Sequence, residues 1–177
     1  MASTLPSYNF PMALKDALLP EYDHEMGTTR RLLERVPDAD LGWKPHEKSF
    51  SLGQLASHIA NIPHWLGAMC DVAVFDLASI GEDARPKEPK SVVDVLKAFD
   101  ENVKKGRQKI DAQTDAAMFA QWTMKQGDQE IMTMPRVAVL RSFFMNHLIH
   151  HRGQLSVYLR LRNVPVPAIY GPSADEG

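Results

Sequence analysis

The stretch Arg141-Ser-Phe-Phe-Met-Asn-His147-Leu-Ile-His150-His151-Arg-Gly-Gln154 constrains the fold more than any other part of the chain. It reads as the middle of a long amphipathic helix from about Arg136 to Arg162, with Pro135 in its first turn. Helix residues are ~100° apart, so His147 and His151 share a face one turn apart. With His147 at zero, Leu140, Phe144, His151, Leu155 and Tyr158 fall between about +20° and +80°. That is an apolar stripe with His151 near its centre and His147 at its edge. His150 falls at about −60° and reads as flanking or exposed. A helix this long with one apolar face has to be covered by other helices.

Three further segments carry the same period. The first, Met12 to Val36, has Leu14, Leu18, Tyr22, Met26, Leu32 and Leu33, with Pro20 predicting a kink or a late start. The second runs from Ser51 to Leu77. Ser51 and Gln54 form a capping box, Pro63 bends the helix, and Leu55, Ile59, Ile62, Leu66 and Met69 form its stripe. His58 lies on a flank of that stripe, available to the core. His64 points about 160° away from the stripe, towards water. The third runs from Ser91, capped with Asp94, to about Asp111, and buries Val92, Val95, Leu96, Phe99, Val103 and Ile110. These four helices, about 12–36, 51–77, 91–111 and 135–162, predict an all-α four-helix bundle with long connecting loops.

The connections set expectations of their own. Pro37 to Phe50 is a loop, with Trp43 expected over the end of the bundle. The thirteen residues Ala78 to Lys90 span ~43 Å when extended, more than the ~30 Å of a twenty-residue helix. They therefore permit a crossover that leaves the second and third helices parallel. Around Gly127-Asp128 the alternating residues from Gln121 to Met134 fit a short hairpin or an extended lap. Three prolines (Pro165, Pro167 and Pro172) keep the tail from being helical throughout. Val164, Val166, Ile169 and Tyr170 should lay its first half on the body, with the last residues loose.

The 177 residues suit a single domain, 1–177, and at 44% hydrophobic they can bury a core. Twenty basic residues stand against 22 acidic ones, for a net charge of −2 and no basic block, so there is no electrostatic case for nucleic acid or an anionic membrane. Lys97, Lys104, Lys105 and Lys109 read as a solvated face. No apolar run approaches the ~20 residues a membrane span needs. Met1 to Phe10 has neither the basic nor the apolar region of a leader. The one cysteine, Cys70, rules out an internal disulfide and fits a reducing, cytoplasmic setting. It lies ~18 Å along a helix from His58, too far to share an ion with it, and reads as a buried, inert thiol. His24, among Glu21, Asp23 and Glu25, reads as part of a charged surface, with a fourth ligand as the lesser alternative.

A single histidine on an apolar face is most simply a hydrogen-bonded core residue. Two on one face need two sets of partners, and a metal becomes an equal explanation. His58, His147 and His151 are the candidate ligands. Three neutral imidazoles suit Zn²⁺, Ni²⁺ or Fe²⁺, and three ligands without a fourth leave a position for water or substrate. Gln154, on the ligand side of its helix, either orients a ligand or packs as a plain amide.

Leu41-Gly-Trp-Lys-Pro45, Phe50-Ser-Leu-Gly-Gln-Leu55 and His58-Ile-Ala60 resemble the DinB-like family of metal-binding bundles. Asn146-His147-Leu-Ile-His150-His151-Arg-Gly-Gln-Leu155, Tyr158-Leu-Arg160 and Pro165-Val-Pro167 extend the resemblance over nearly the whole chain. The family is similar in its bundle to thiol-dependent isomerases and transferases that use mycothiol or bacillithiol. It is unrelated to the DNA polymerase of the same name. The resemblance implies up-down-down-up topology, metal ligands at His58, His147 and His151, a homodimer, and a metal-held low-molecular-weight thiol attacking an electrophile. A metal-dependent hydrolase, a non-catalytic metal-binding stress-response protein, and a helical dimer with hydrogen-bonded histidines stay open beside it.

Overall fold

The computed structural model describes residues 12–80 and 86–176. Met1 to Phe10, the stretch without leader features, and the middle of the Ala78–Lys90 connector lie outside those residues.

The frame is the expected all-α bundle, with a small sheet added to it. Helix α1 is Leu14–Leu33 and is continuous through Pro20, without a late start. Helix α2 is Leu52–Asn61, followed by a 3₁₀ turn, Ile62–Trp65, and a short α3, Leu66–Asp71. Helix α4 is Val92–Asp111, and α5 is the short Asp115–Phe119. The last rod is built of α6 (Arg136–Val139), a π turn (Leu140–Met145) and α7 (Asn146–Leu161). Both α1 and α2 pack against α4 and α7. Leu55, Ile59, Ile62, Leu66 and Met69 are all buried, so the stripe predicted for the second helix is its core face.

The second helix stops six residues short of Leu77. Val72 is already extended (φ −121°, ψ 157°), and Val74–Asp76 forms strand β1. The apolar residues at 74, 75 and 77 continue the hydrophobic pattern but not the helix, because they complete a small sheet. Strand β2, Gln121–Gln126, pairs antiparallel with β3, Gln129–Pro135, around a turn in which Gly127 takes φ +60°. This is the expected hairpin. Strand β1 joins β2 in parallel, with Phe75 opposite Met124, an addition that three residues of sequence did not signal. The buried Arg136 then locks sheet to bundle. Its guanidinium donates to the carbonyls of Met69 (2.7 Å), Val72 (3.2 Å) and Ala117.

The start of α2 is fixed from both sides. Ser51 and Gln54 complete the capping box, each side chain meeting the other's backbone N–H at 3.0 Å. The next two N–H groups, of Leu52 and Gly53, donate to the carbonyls of Trp43 and Leu41 at 2.8 Å. This close approach requires glycine at 53, where an added Cβ would stand 2.8 Å from Pro89 Cδ and Glu88 Oε1 and 3.1 Å from the Leu41 carbonyl. Gly53→Ala is therefore expected to destabilise the fold by ~1–3 kcal/mol, read as a lower urea midpoint. Trp43 does pack over the bundle end, with its ring 5.7 Å from Tyr158 and Arg162 5.5 Å above it.

The tail corrects another expectation. Val166 is buried as predicted, but the last described residues are tied down rather than loose. Asp175 accepts from the Val166 N–H (2.9 Å), Glu176 from the Ala168 N–H (3.1 Å), and Asp175 also pairs with Arg160. Two carboxylates at the end of the chain supply acceptors for backbone groups that the prolines leave unpaired. Among the described residues, no helix is long and apolar enough to cross a membrane.

Candidate metal centre

His58 sits in the last turn of α2, just before the Pro63 turn, and His147 and His151 open α7, just after the π turn. Since α2 packs against α7, the three rings meet between the two rods. His147 Nε2 lies 3.0 Å from His58 Nε2 and 3.0 Å from His151 Nε2. One ligand nitrogen from each ring falls within 4.8 Å of the others. The sequence-predicted trio is thus brought together from positions 89 residues apart.

Hydrogen bonding alone does not satisfy this arrangement. A neutral ring nitrogen carries one proton or one lone pair, so His147 Nε2 can complete only one of its two contacts. His151 Nδ1 is 2.7 Å from Gln154 Oε1, an acceptor, so Nδ1 carries the proton and Nε2 presents a lone pair. Nitrogens ~2.0–2.1 Å from a single ion stand ~2.9–3.4 Å apart, and the two 3.0 Å separations fall in that range. The three residues therefore fit a divalent cation, and Gln154 takes the orienting role rather than the packing one.

The surroundings keep the rings uncharged. Burial, with the neighbouring imidazoles adding to it, pushes His58 and His147 down to about 4. Burial also lowers His151, opposed by its bond to Gln154. Metal ligation requires neutral imidazole, and these rings are neutral through the physiological range. An aromatic jacket supplies the burial. Trp65 packs on His58 (5.6 Å between centroids) and His147 (4.9 Å), Phe143 on His147 (6.0 Å) and Phe50 on His58 (5.9 Å). Sequence reasoning did not single out Trp65 or Phe143. The signal was present at Trp65, seven residues from His58, but the 3₁₀ turn that swings it back is legible only in three dimensions.

The helical wheel needs one correction. The buried face of α7 is Leu148, Arg152, Leu155 and Leu159, so its centre lies between Leu148 and Leu159, and His151 and His147 lie half-buried on its flank. Leu148 and Leu159, left out of the predicted stripe, lie at the observed centre, about 60° from the predicted one. The π turn also shifts Leu140 and Arg141 relative to a regular wheel. The flank position suits a ligand better than the centre, because it opens on space a small molecule can reach. His24, His64 and His150 are exposed, as predicted. Cys70 is buried, and burial pushes its thiol up to about 11, the inert state expected.

Beside the histidines is a cavity of about 680 Å³, which His58, Trp65 and Phe143 help to line. It runs from the α2–α3 bend to the sheet.

Known proteins share this architecture. A DinB-like protein from Bacillus cereus superposes with a TM-score of 0.69 at 19% identity, over 89% of this chain and 98% of that one. The DinB-like protein YjoA from Bacillus subtilis gives 0.64 at 19%, over 90% and 98%. At such identity the likeness concerns the fold alone. The uncharacterized protein YrdA of Bacillus subtilis (strain 168) is 26% identical over 165 residues, 91% of this chain and 90% of that protein. A sequence model of the DinB family matches residues 12–177, the whole of the described bundle, and the chain belongs to that family.

Proposed function

We propose that the protein is a metal-dependent enzyme in which His58, His147 and His151 hold one divalent ion, Zn²⁺ or Ni²⁺ before Fe²⁺. The observation that carries this reading is the convergence of three Nε2 atoms that hydrogen bonds alone cannot satisfy. When bound, such an ion acts as a Lewis acid that lowers the pKa of a coordinated water or thiol. The chain's own residues do the rest. Gln154 fixes the His151 tautomer, the aromatic jacket limits water around the rings, and the cavity at His58 gives a substrate room to approach. The reaction class we favour is transfer of a low-molecular-weight thiol to an electrophile, in line with the family resemblance and with a site that has three ligands and an adjoining cavity. The test is turnover of a panel of electrophiles by zinc- or nickel-loaded protein with and without low-molecular-weight thiols. Thiol-dependent turnover supports the reading. Thiol-independent hydrolysis moves it to the hydrolase class, and no turnover with metal bound moves it to a binding protein. A homodimer is part of the same proposal, and light scattering should give a mass twice that of the chain.

Two results are expected whatever the substrate. Gln154→Leu removes the orienting acceptor and should weaken metal affinity ~10–100-fold in a chelator competition. The metal-free fold should lose stability in acid. The folded His58 and His147 have pKa values depressed to about 4 against ~6.5 unfolded, so their contribution is present above pH 6.5 and is lost as pH falls towards 4. Between pH 7 and pH 5 the loss should be ~1 kcal/mol, below the full linkage value because the rings are only half-buried. Urea midpoints at the two pH values measure it, and a His58→Leu/His147→Leu variant should lose most of the dependence, His151 keeping the rest.

A further inference from the structure

We infer that the cavity beside His58 is the binding site for a neutral, aromatic small molecule. Its volume, about 680 Å³, lies within the ~300–1,000 Å³ of sites that enclose drug-sized ligands. Its walls are mostly ring faces, joined by a thioether and an aliphatic chain: Trp65, Phe75, Trp122 and Phe143, with Met124 and Leu77. Phe75 and Trp122 lie nearly parallel (15°, centroids 6.3 Å apart), and Trp122 is held by its Nε1–H donating to the Ala68 carbonyl at 3.1 Å. Trp65 and Phe143 form a second tilted pair on the side of the histidines. Planar rings of fixed orientation favour a planar apolar occupant by stacking.

The polar lining decides the charge. Lys87 and Glu88 are adjacent and opposite in sign, so together these two side chains bring no net charge to the wall. Glu88 already accepts from Ser51 Oγ at 2.7 Å. Asn61 and Ser57 can hydrogen-bond one or two heteroatoms of an otherwise apolar molecule. A nucleotide or a sugar-based thiol would find too few partners here, which leaves the cavity to the apolar reactant. The sheet takes part in making the space, since β1 and β2 contribute Phe75, Trp122 and Met124 to its walls. Calling the occupant a substrate rests on the metal-enzyme reading, whereas binding itself does not.

The probe is N-phenyl-1-naphthylamine, a neutral aromatic fluorophore, titrated into chelator-treated full-length protein. Saturable enhancement at one site per chain is expected. Gly67 lines the cavity, and a Cβ added there meets nothing within 4 Å. Gly67→Ala should therefore bind the probe within threefold of wild type, while Gly67→Phe fills the space and should weaken binding at least tenfold. Ile80→Asp, at a wall position 42% exposed, puts a charge at the cavity without touching the core and should also weaken it. Because the protein is chelator-treated, probe binding does not depend on the metal, which separates failure of the cavity from failure of the metal site. No saturable enhancement with wild type, or wild-type affinity in both Gly67→Phe and Ile80→Asp, would overturn the inference.

Discussion

Glu25→Ala is expected to cost ~3–5 kcal/mol of folding stability, far more than a typical single substitution. Glu25 and Arg152 are both buried, at 5% and 1% exposure, and their side chains meet at 2.6 Å. Arg152 also donates to the Glu25 carbonyl and to Thr29 Oγ1, each at 3.2 Å, and to the hydroxyl of Tyr170. That hydroxyl in turn donates to the Glu25 carboxylate at 2.9 Å, and the tail is thereby tied to α1 and α7. Truncating Glu25 leaves a guanidinium in the core with no counter-charge. Its desolvation is then uncompensated. Against a total of ~5–15 kcal/mol for a domain, this is a large share. The urea midpoint should fall with little change in slope. The double variant Glu25→Met/Arg152→Leu removes both charges and should recover most of the loss, because the pair contributes little net stability beyond what apolar packing would. Tyr170→Phe, which removes a single neutral hydroxyl, should cost only ~1 kcal/mol. A loss under ~1 kcal/mol in Glu25→Ala would mean that Arg152 reaches water, contrary to this packing.

This pair also marks where sequence reading stops. An arginine flanked by histidine and glycine on a helix looks like surface. Its burial follows from Glu25, Thr29 and Tyr170, which converge on it from positions 127, 123 and 18 residues away. The helical frame was legible because each rod repeats apolar residues at the helical period, and two of them carry a capping start signal, Ser51 with Gln54 and Ser91 with Asp94. The ligand trio was legible because an i, i+4 pair on one rod and a flank position on another point to a shared space. What was not legible depends on pairing between distant segments. Val74-Phe-Asp76 becomes a strand only because β2 offers an edge, and the π turn before His147 carries no proline or glycine to announce it. The tail is ordered by two carboxylates that composition alone would assign to solvent.

The central claim concerns His147, whose Nε2 touches the other two ligand nitrogens. Its removal leaves His58 and His151 as a two-ligand remnant without the donor between them. Loss of a ligand should exceed the ~100-fold upper end of what a supporting partner costs, and it takes binding out of reach of dialysis against micromolar zinc. His147→Ala should stay folded, because the ring is only half-buried and on the flank of the core. The decisive measurement is metal content by mass spectrometry after chelator treatment, reloading with Zn²⁺ and extensive dialysis. Wild type should hold one ion per chain, and folded His147→Ala should hold none above background. Wild type that retains no zinc, or His147→Ala that retains a full equivalent, would contradict the account.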